Sequence, residues 1–206
     1  MLLNLISNPQ QFIAFLTALI LAITVHEYAH AYAADRFGDH TARDAGRLTM
    51  NPLAHLDPVG TIFLLLVGFG WGKPVPINDS NLKNPKLDEI IISLAGPFSN
   101  LLLATLIGLF LRFVPLSAEF TNFFVIIIII NLVLMTFNLL PIPPLDGSHI
   151  LKIFISGEAY ESFQRIGIFL LFAFIILTNY IPILSIVINW VTNVFFMTVV
   201  GKSIQI

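Results

Sequence analysis

Apolar residues gather along this chain into long blocks, several of them near the ~20 residues that cross a bilayer as a helix. The first block covers 12–34 and is unusual in carrying His26, Glu27 and His30 inside an otherwise apolar run. Further blocks cover 87–113 and 120–140, the latter ending in a proline cluster. A long apolar region near the C-terminus divides into two short helices, 163–178 and 182–200, with a break near Asn179 and Pro182. Between the first and second blocks, Val59 to Phe69 is too short to span as a helix and is rich in glycine and β-branched residues. It reads as part of a strand pair, or of a loop dipping into the membrane, within 45–78. Such backbone survives at membrane depth only when covered by protein or lining a wet cavity. The pattern thus predicts an all-α polytopic membrane protein with four to five transmembrane helices. A small β-strand or re-entrant segment lies between the first and second, and the whole of 1–206 forms a single integral-membrane domain.

Composition agrees with lipid as the solvent. The chain has 206 residues, 57% of them apolar and 11% charged, with a mean hydropathy of +0.89. Soluble domains run about 45–50% apolar and about 25% charged. The net charge of -2 argues against nucleic acid, whose binding needs a basic field. Cysteine is absent, which excludes disulfides and thiolate metal sites. The opening residues MLLNLISNPQ contain no Lys or Arg, so the first apolar block is expected to stay in the mature protein. Six of the ten Lys and Arg residues lie between Arg36 and Lys86, and Lys152 and Arg165 follow the third block. By the positive-inside rule, 35–87 and 146–165 face the cytoplasm and the N-terminus faces out. A C-terminal hairpin of two helices then brings Lys202 inside as well.

The strongest chemical signal is His26-Glu27-Tyr28-Ala29-His30. On a helix, residues four apart share one face about 6 Å apart along the axis, so both imidazoles can reach one tetrahedral zinc. Glu27 lies on nearly the same side and can take a proton from an activated water. With five His and five Glu in the chain, this spacing arises by chance roughly 0.003 times per chain. The competing reading is polar residues packed between helices or relaying protons, and three ionisable groups in an apolar span make that costly. A third protein ligand is needed. Asp146 ends the run Asn138-Leu-Leu-Pro-Ile-Pro-Pro-Leu-Asp146-Gly147, where Pro141, Pro143 and Pro144 stiffen an extended arm. Spacing alone leaves it equally open to being a loop acid beside a helix end.

These two motifs together resemble the site-2 protease family of intramembrane metallopeptidases, in its small form without PDZ or CBS domains. The likeness extends to Gly96-Pro97-Phe98-Ser99-Asn100 and to the loop from Gly46 through Asn51 and His55 to Pro58. It implies His26, His30 and Asp146 as ligands of one catalytic zinc, Glu27 as general base, and Asn138 as a holder of substrate or oxyanion. It also implies that GWGKPVPIN, with Lys73, Pro74 and Pro76, forms an edge strand that receives an unwound substrate. Weaker candidates are Asn100 and His55 for substrate binding. His55 reads equally as a turn-stabilising residue, and Asn100 and Gly96 as a small-residue packing face. His149 is a possible partner behind the ligands or a helix-start residue, and His40 a plain loop histidine. The expected activity is zinc-dependent hydrolysis of membrane-protein substrates in or beside the bilayer of a prokaryotic plasma membrane, with the site toward the cytoplasm. Two rivals are a metal-ion or proton transporter and a catalytically silent scaffold. Ionisable groups are scarce in the later blocks, which disfavours the first, and the intact Glu27 disfavours the second.

Overall fold

The computed structural model describes residues 8–67, 70–155, 157–178 and 180–201. Helix α1, Pro9–Arg36, begins before the apolar block because Asn8 caps it, accepting from the Gln11 amide at 3.3 Å, and Pro9 pre-sets the first turn. A one-turn helix α2, Thr41–Asp44, follows. Helix α3 is Pro58–Val67, α4 is Pro85–Phe113 and α5 is Ala118–Asn138. After a 3₁₀ segment, Asp146–Ile153, come α6, Gly157–Thr178, and α7, Ile183–Phe195, the latter continued by a π turn to Val200. Among the described residues, five helices are long and apolar enough to cross a membrane: α1, α4, α5, α6, and α7 with its π turn. The expected break near Asn179 and the position of Lys202 lie outside the described residues; Pro182 caps the start of α7.

Helices α1, α4 and α5 pack mutually and form the body of the bundle. The 3₁₀ segment lies on α4, and the π turn rests on α4 at the other end. There Ala104, Ile128, Leu132, Phe195 and Phe196 close an apolar core. Helix α6 packs on α7 and the 3₁₀ segment and, at Gly167, on Pro143, and many of its apolar side chains face outward. That is the expected state of a helix whose solvent is lipid. Its first two turns are polar on the outer side but bury Tyr160, which is why α6 starts earlier than its apolar block.

The expected β-strand is corrected. Among the described residues there is no strand, only one antiparallel bridge, Leu56 to Gly72. Val59 onward is helical because Asp57 caps it: the Gly60 amide donates to Asp57 Oδ1 at 2.6 Å and the Thr61 amide to the Asp57 carbonyl at 2.8 Å. Pro58 follows the cap directly, as a helix start prefers. The GWGKPVPIN segment runs alongside residue 55, with the Lys73 amide donating to the His55 carbonyl at 2.8 Å. Pro74 and Pro76 lack the amides that a longer ladder would need. Phe69, at the end of that apolar stretch, lies outside the described residues.

Asp39, fully buried behind α1, ties the connections together. It accepts from the Thr41 amide and hydroxyl, the Asn78 amide and the Asn81 side chain at 2.5–3.1 Å. Burial opposes its charge, but these donors prevail and hold its carboxyl below the usual range.

Candidate metal centre

Helix α1 buries His26 and His30 on the face that meets α4. Each ring is held from behind. His26 Nδ1 lies 2.7 Å from Asn100 Oδ1, and His30 Nδ1 lies 2.8 Å from the Ile92 carbonyl. A carbonyl only accepts, so His30 Nδ1 carries the hydrogen. The orientation of Asn100 is fixed in the same way. Its Nδ2 donates to the Ala22 carbonyl at 3.0 Å and to Asn131 Oδ1 at 2.9 Å, while Asn131 Nδ2 donates to the Ile127 carbonyl at 2.8 Å. Asn100 Oδ1 therefore faces His26, and His26 Nδ1 carries the hydrogen too. Both Nε2 atoms are left as bare lone pairs pointing forward.

Those lone pairs meet Asp146. Its Oδ2 is 3.1 Å from His26 Nε2 and 3.4 Å from His30 Nε2, and the two Nε2 atoms are 3.0 Å apart. Asp146 Oδ2 is buried and has no hydrogen-bond partner. With both rings neutral, three acceptors crowd one point, an arrangement that a bound cation would satisfy. A tetrahedral zinc with ligand distances of about 2.0–2.1 Å separates its donors by about 3.3 Å, close to the spacing found. Two imidazoles and one carboxylate, with a further position open, are a donor set that suits a catalytic zinc. The residues present fit the metal.

The surroundings were shaped for this cluster. A Cβ built on Gly96 would lie 2.3 Å from His30 Nε2 and 2.6 Å from His26 Cε1, so only glycine lets α4 approach the rings. Gly147 is required for space rather than for an unusual turn, since its Cβ would lie 2.2 Å from the Leu139 carbonyl oxygen. The turn after Asp146 can therefore press against the end of α5. Glu27 is half-buried beside the rings, and its Oε2 accepts from the Val75 amide at 3.2 Å. The segment carrying that amide is held by the buried Arg47, which donates to the Lys73 and Pro74 carbonyls at 2.5 and 3.0 Å.

The remaining candidates take other places. Asn138, the last residue of α5, is half-buried and donates to the Leu134 carbonyl at 3.0 Å. Both amide hydrogens of Asn100 are spent on Ala22 and Asn131, behind the histidines. His55 is fully buried, with Nε2 on the Thr49 carbonyl at 2.7 Å, so it braces the loop. His40 pairs with Asp35 at 2.8 Å. His149 pairs with Glu89 at 2.8 Å. Sequence reasoning passed over Asn131, Arg47, Glu89 and the Ile92 carbonyl. A signal existed only for Asn131, the one polar residue between Phe123 and Met135.

The sequence matches the model of peptidase family M50 over residues 14–117 and 114–178. The chain belongs to peptidase family M50. The likeness to site-2 proteases read from the two motifs is therefore correct, and the chain is a multi-pass membrane protein. It is 50% identical over 144 residues to YwhC of Bacillus subtilis (strain 168), named as a candidate zinc metalloprotease, covering 65% of each chain. It is 32% identical over 158 residues to Rip2 of Mycolicibacterium smegmatis, which carries the same description, covering 73% of this chain and 61% of that one. MJ0392 of Methanocaldococcus jannaschii, named a zinc metalloprotease, is 24% identical over 156 residues, which are 76% of this chain and 38% of that one. The chain thus spans less than two thirds of these M50 relatives. No solved structure matches it.

Proposed function

We propose that this M50 chain is a zinc-dependent endopeptidase that hydrolyses peptide bonds of membrane-protein substrates within or beside the bilayer. One observation carries the reading: His26, His30 and Asp146 converge with their free electron pairs facing one point, 3.0–3.4 Å apart. Zinc held there supplies Lewis-acid chemistry toward water and the scissile carbonyl. Glu27 takes the proton of the attacking water and returns it to the departing amine. The Val75 amide fixes one carboxylate oxygen of Glu27 and leaves the other to do this. Asn138 spends one amide hydrogen on Leu134 and offers the second to the substrate carbonyl oxygen as charge develops there. Asn100 acts on His26 rather than on substrate, and His55 acts through the loop it braces.

Orientation is read from charge. The loop 37–84 and the 146–165 segment hold most of the Lys and Arg, which supports a metal centre toward the cytoplasmic side of a prokaryotic plasma membrane. Water reaches the site from that side. His26 lies ten residues, about 15 Å, from the Arg36 end of α1, in the half of that helix nearer Arg36.

The test is the purified protein in lipid with zinc content and cleavage of membrane-protein substrates measured on the same samples. Glu27→Gln is expected to keep about one zinc and lose cleavage, because it removes a base and no ligand. Cleavage by that variant at near the unaltered rate would refute the assignment of Glu27. Unaltered protein that takes up no zinc would refute the reading as a whole.

A further inference from the structure

Two of the candidate ligands are held from behind by α4, through Asn100 and the Ile92 carbonyl. Asp146 stands on a separate segment, and no hydrogen bond to its own Oδ2 holds it in place. The 3₁₀ segment that begins with Asp146 is itself fastened one turn further along α4. Glu89, buried on the first turns of α4, receives two cationic or polar groups from that segment. His149 Nδ1 donates to Glu89 Oε1 at 2.8 Å, and Lys152 Nζ donates to Glu89 Oε2. Tyr160 of α6 closes this cluster over. It is 3% exposed, with Lys152 Nζ 4.9 Å from the ring centre and the His149 ring 6.1 Å away. Asp79 lies beside Glu89, and burial together with that neighbouring carboxylate pushes its carboxyl up. Covering by an aromatic ring keeps water away and strengthens the pair.

A buried carboxylate is costly to retain without partners, so Glu89 is held in place by what it grips. What it grips lies three and six residues beyond Asp146, on one face of a rigid 3₁₀ segment. The chain on the other side of Asp146 is stiffened by Pro141, Pro143 and Pro144. Glu89 is therefore the fixed point that sets how far Asp146 reaches toward the histidines. We propose that Glu89 is a positioning residue for the metal centre, acting through His149 and Lys152 to hold the Asp146 carboxylate at ligating distance. This rests on the reading of His26, His30 and Asp146 as a zinc site, and assigns Glu89 a part in that site.

The test measures zinc affinity of the whole protein in detergent by competition with a chelator, for unaltered protein, Glu89→Gln, Lys152→Met and the double variant. Melting of the zinc-free forms is followed alongside. Each single variant is expected to weaken zinc by about tenfold, the lower end of what loss of a ligand-orienting partner costs. The double variant should weaken it no further than Glu89→Gln alone, because Lys152 acts through Glu89. Glu161→Gln, in an exposed pair with Arg165, should leave affinity unchanged. Glu89→Gln that lowers only the zinc-free melting temperature would reduce Glu89 to a structural residue and overturn the proposal. A double variant weakened about a hundredfold would show that Lys152 acts independently of Glu89 and would overturn the proposal as stated. Unaltered protein without zinc affinity would instead overturn the metal site itself, and the proposal with it.

Discussion

Replacing Gly96 by alanine adds one methyl group where the structure has room for none. The new carbon would lie 2.3 Å from His30 Nε2 and 2.6 Å from both His26 Cε1 and His30 Cε1. Non-bonded carbon atoms settle at about 3.5–4.0 Å, so one ring, or α4 itself, must retreat by about 1 Å. A metal site tolerates ligand displacements of about 0.2 Å, so the retreat is several times too large. Neither ring can turn aside without losing its Nδ1 partner, Asn100 or Ile92. Zinc affinity is therefore expected to fall by at least about a hundredfold, the upper end of the loss caused by disturbing what orients a ligand. Stability should change less. Alanine gains about 1 kcal/mol over glycine in a helix, while overpacking costs about 1–3 kcal/mol. Gly108→Ala is the matched control on the same helix, since its Cβ would press at 3.0–3.3 Å on Val199 and Phe195, far from the rings. Chelator competition on both variants, with melting of the zinc-free proteins, separates the two effects. Gly96→Ala with unaltered zinc affinity would refute the claim that this glycine makes room for the ligands. Equal losses in both variants would show that crowding on α4 disturbs the centre from anywhere.

Three further outcomes are expected. Asn100→Leu should weaken zinc by about 10–100-fold, because His26 loses the acceptor that fixes which nitrogen carries its hydrogen; chelator competition reads it, and unchanged affinity would refute that account. Asp39 has its carboxyl depressed by four donors, so its stabilisation is present above the unfolded value of about 3.9 and is lost as pH falls through the lower folded value. Asp39→Asn should thus lower the melting temperature at neutral pH and flatten the acid side of the stability curve, and a parallel shift at every pH would refute this. Single cysteines replacing Ser80 and Ser117 test orientation in a chain with no native cysteine: the first should react only with reagents that enter the cell, the second from outside, and the reverse pattern would invert the topology.

The pairing of His26 and His30 was legible because a four-residue helical spacing is local, whereas the proline-stiffened arm alone left Asp146 open to being a loop acid, and only the resemblance joined it to them. The five spanning helices were legible for the same reason, since lipid demands unbroken apolar runs. What escaped is what depends on neighbours far along the chain. Residues 59–67 carry a β-like composition, yet the Asp57-Pro58 start just before them decides for helix. Glu89 was indistinguishable from a loop acid until His149 and Lys152, some sixty residues later, were brought against it. Arg47 looked like one more topogenic charge, while its guanidinium in fact holds the segment that supports Glu27. Asn100 was legible as a polar group within a helix, but its orientation depends on carbonyls of two other helices.

Helix α4 touches every part of the centre: Asn100 reaches His26, Ile92 reaches His30, Gly96 seats both rings, and the segment headed by Asp146 lies along its first turns. The donors are thus all measured from one common datum instead of from one another. Errors in the long connections 37–84 and 139–145 do not accumulate at the metal, because each arm is registered separately against the same rod. A change of length in those connections should therefore disturb the three donors less than a change at position 92, 96 or 100.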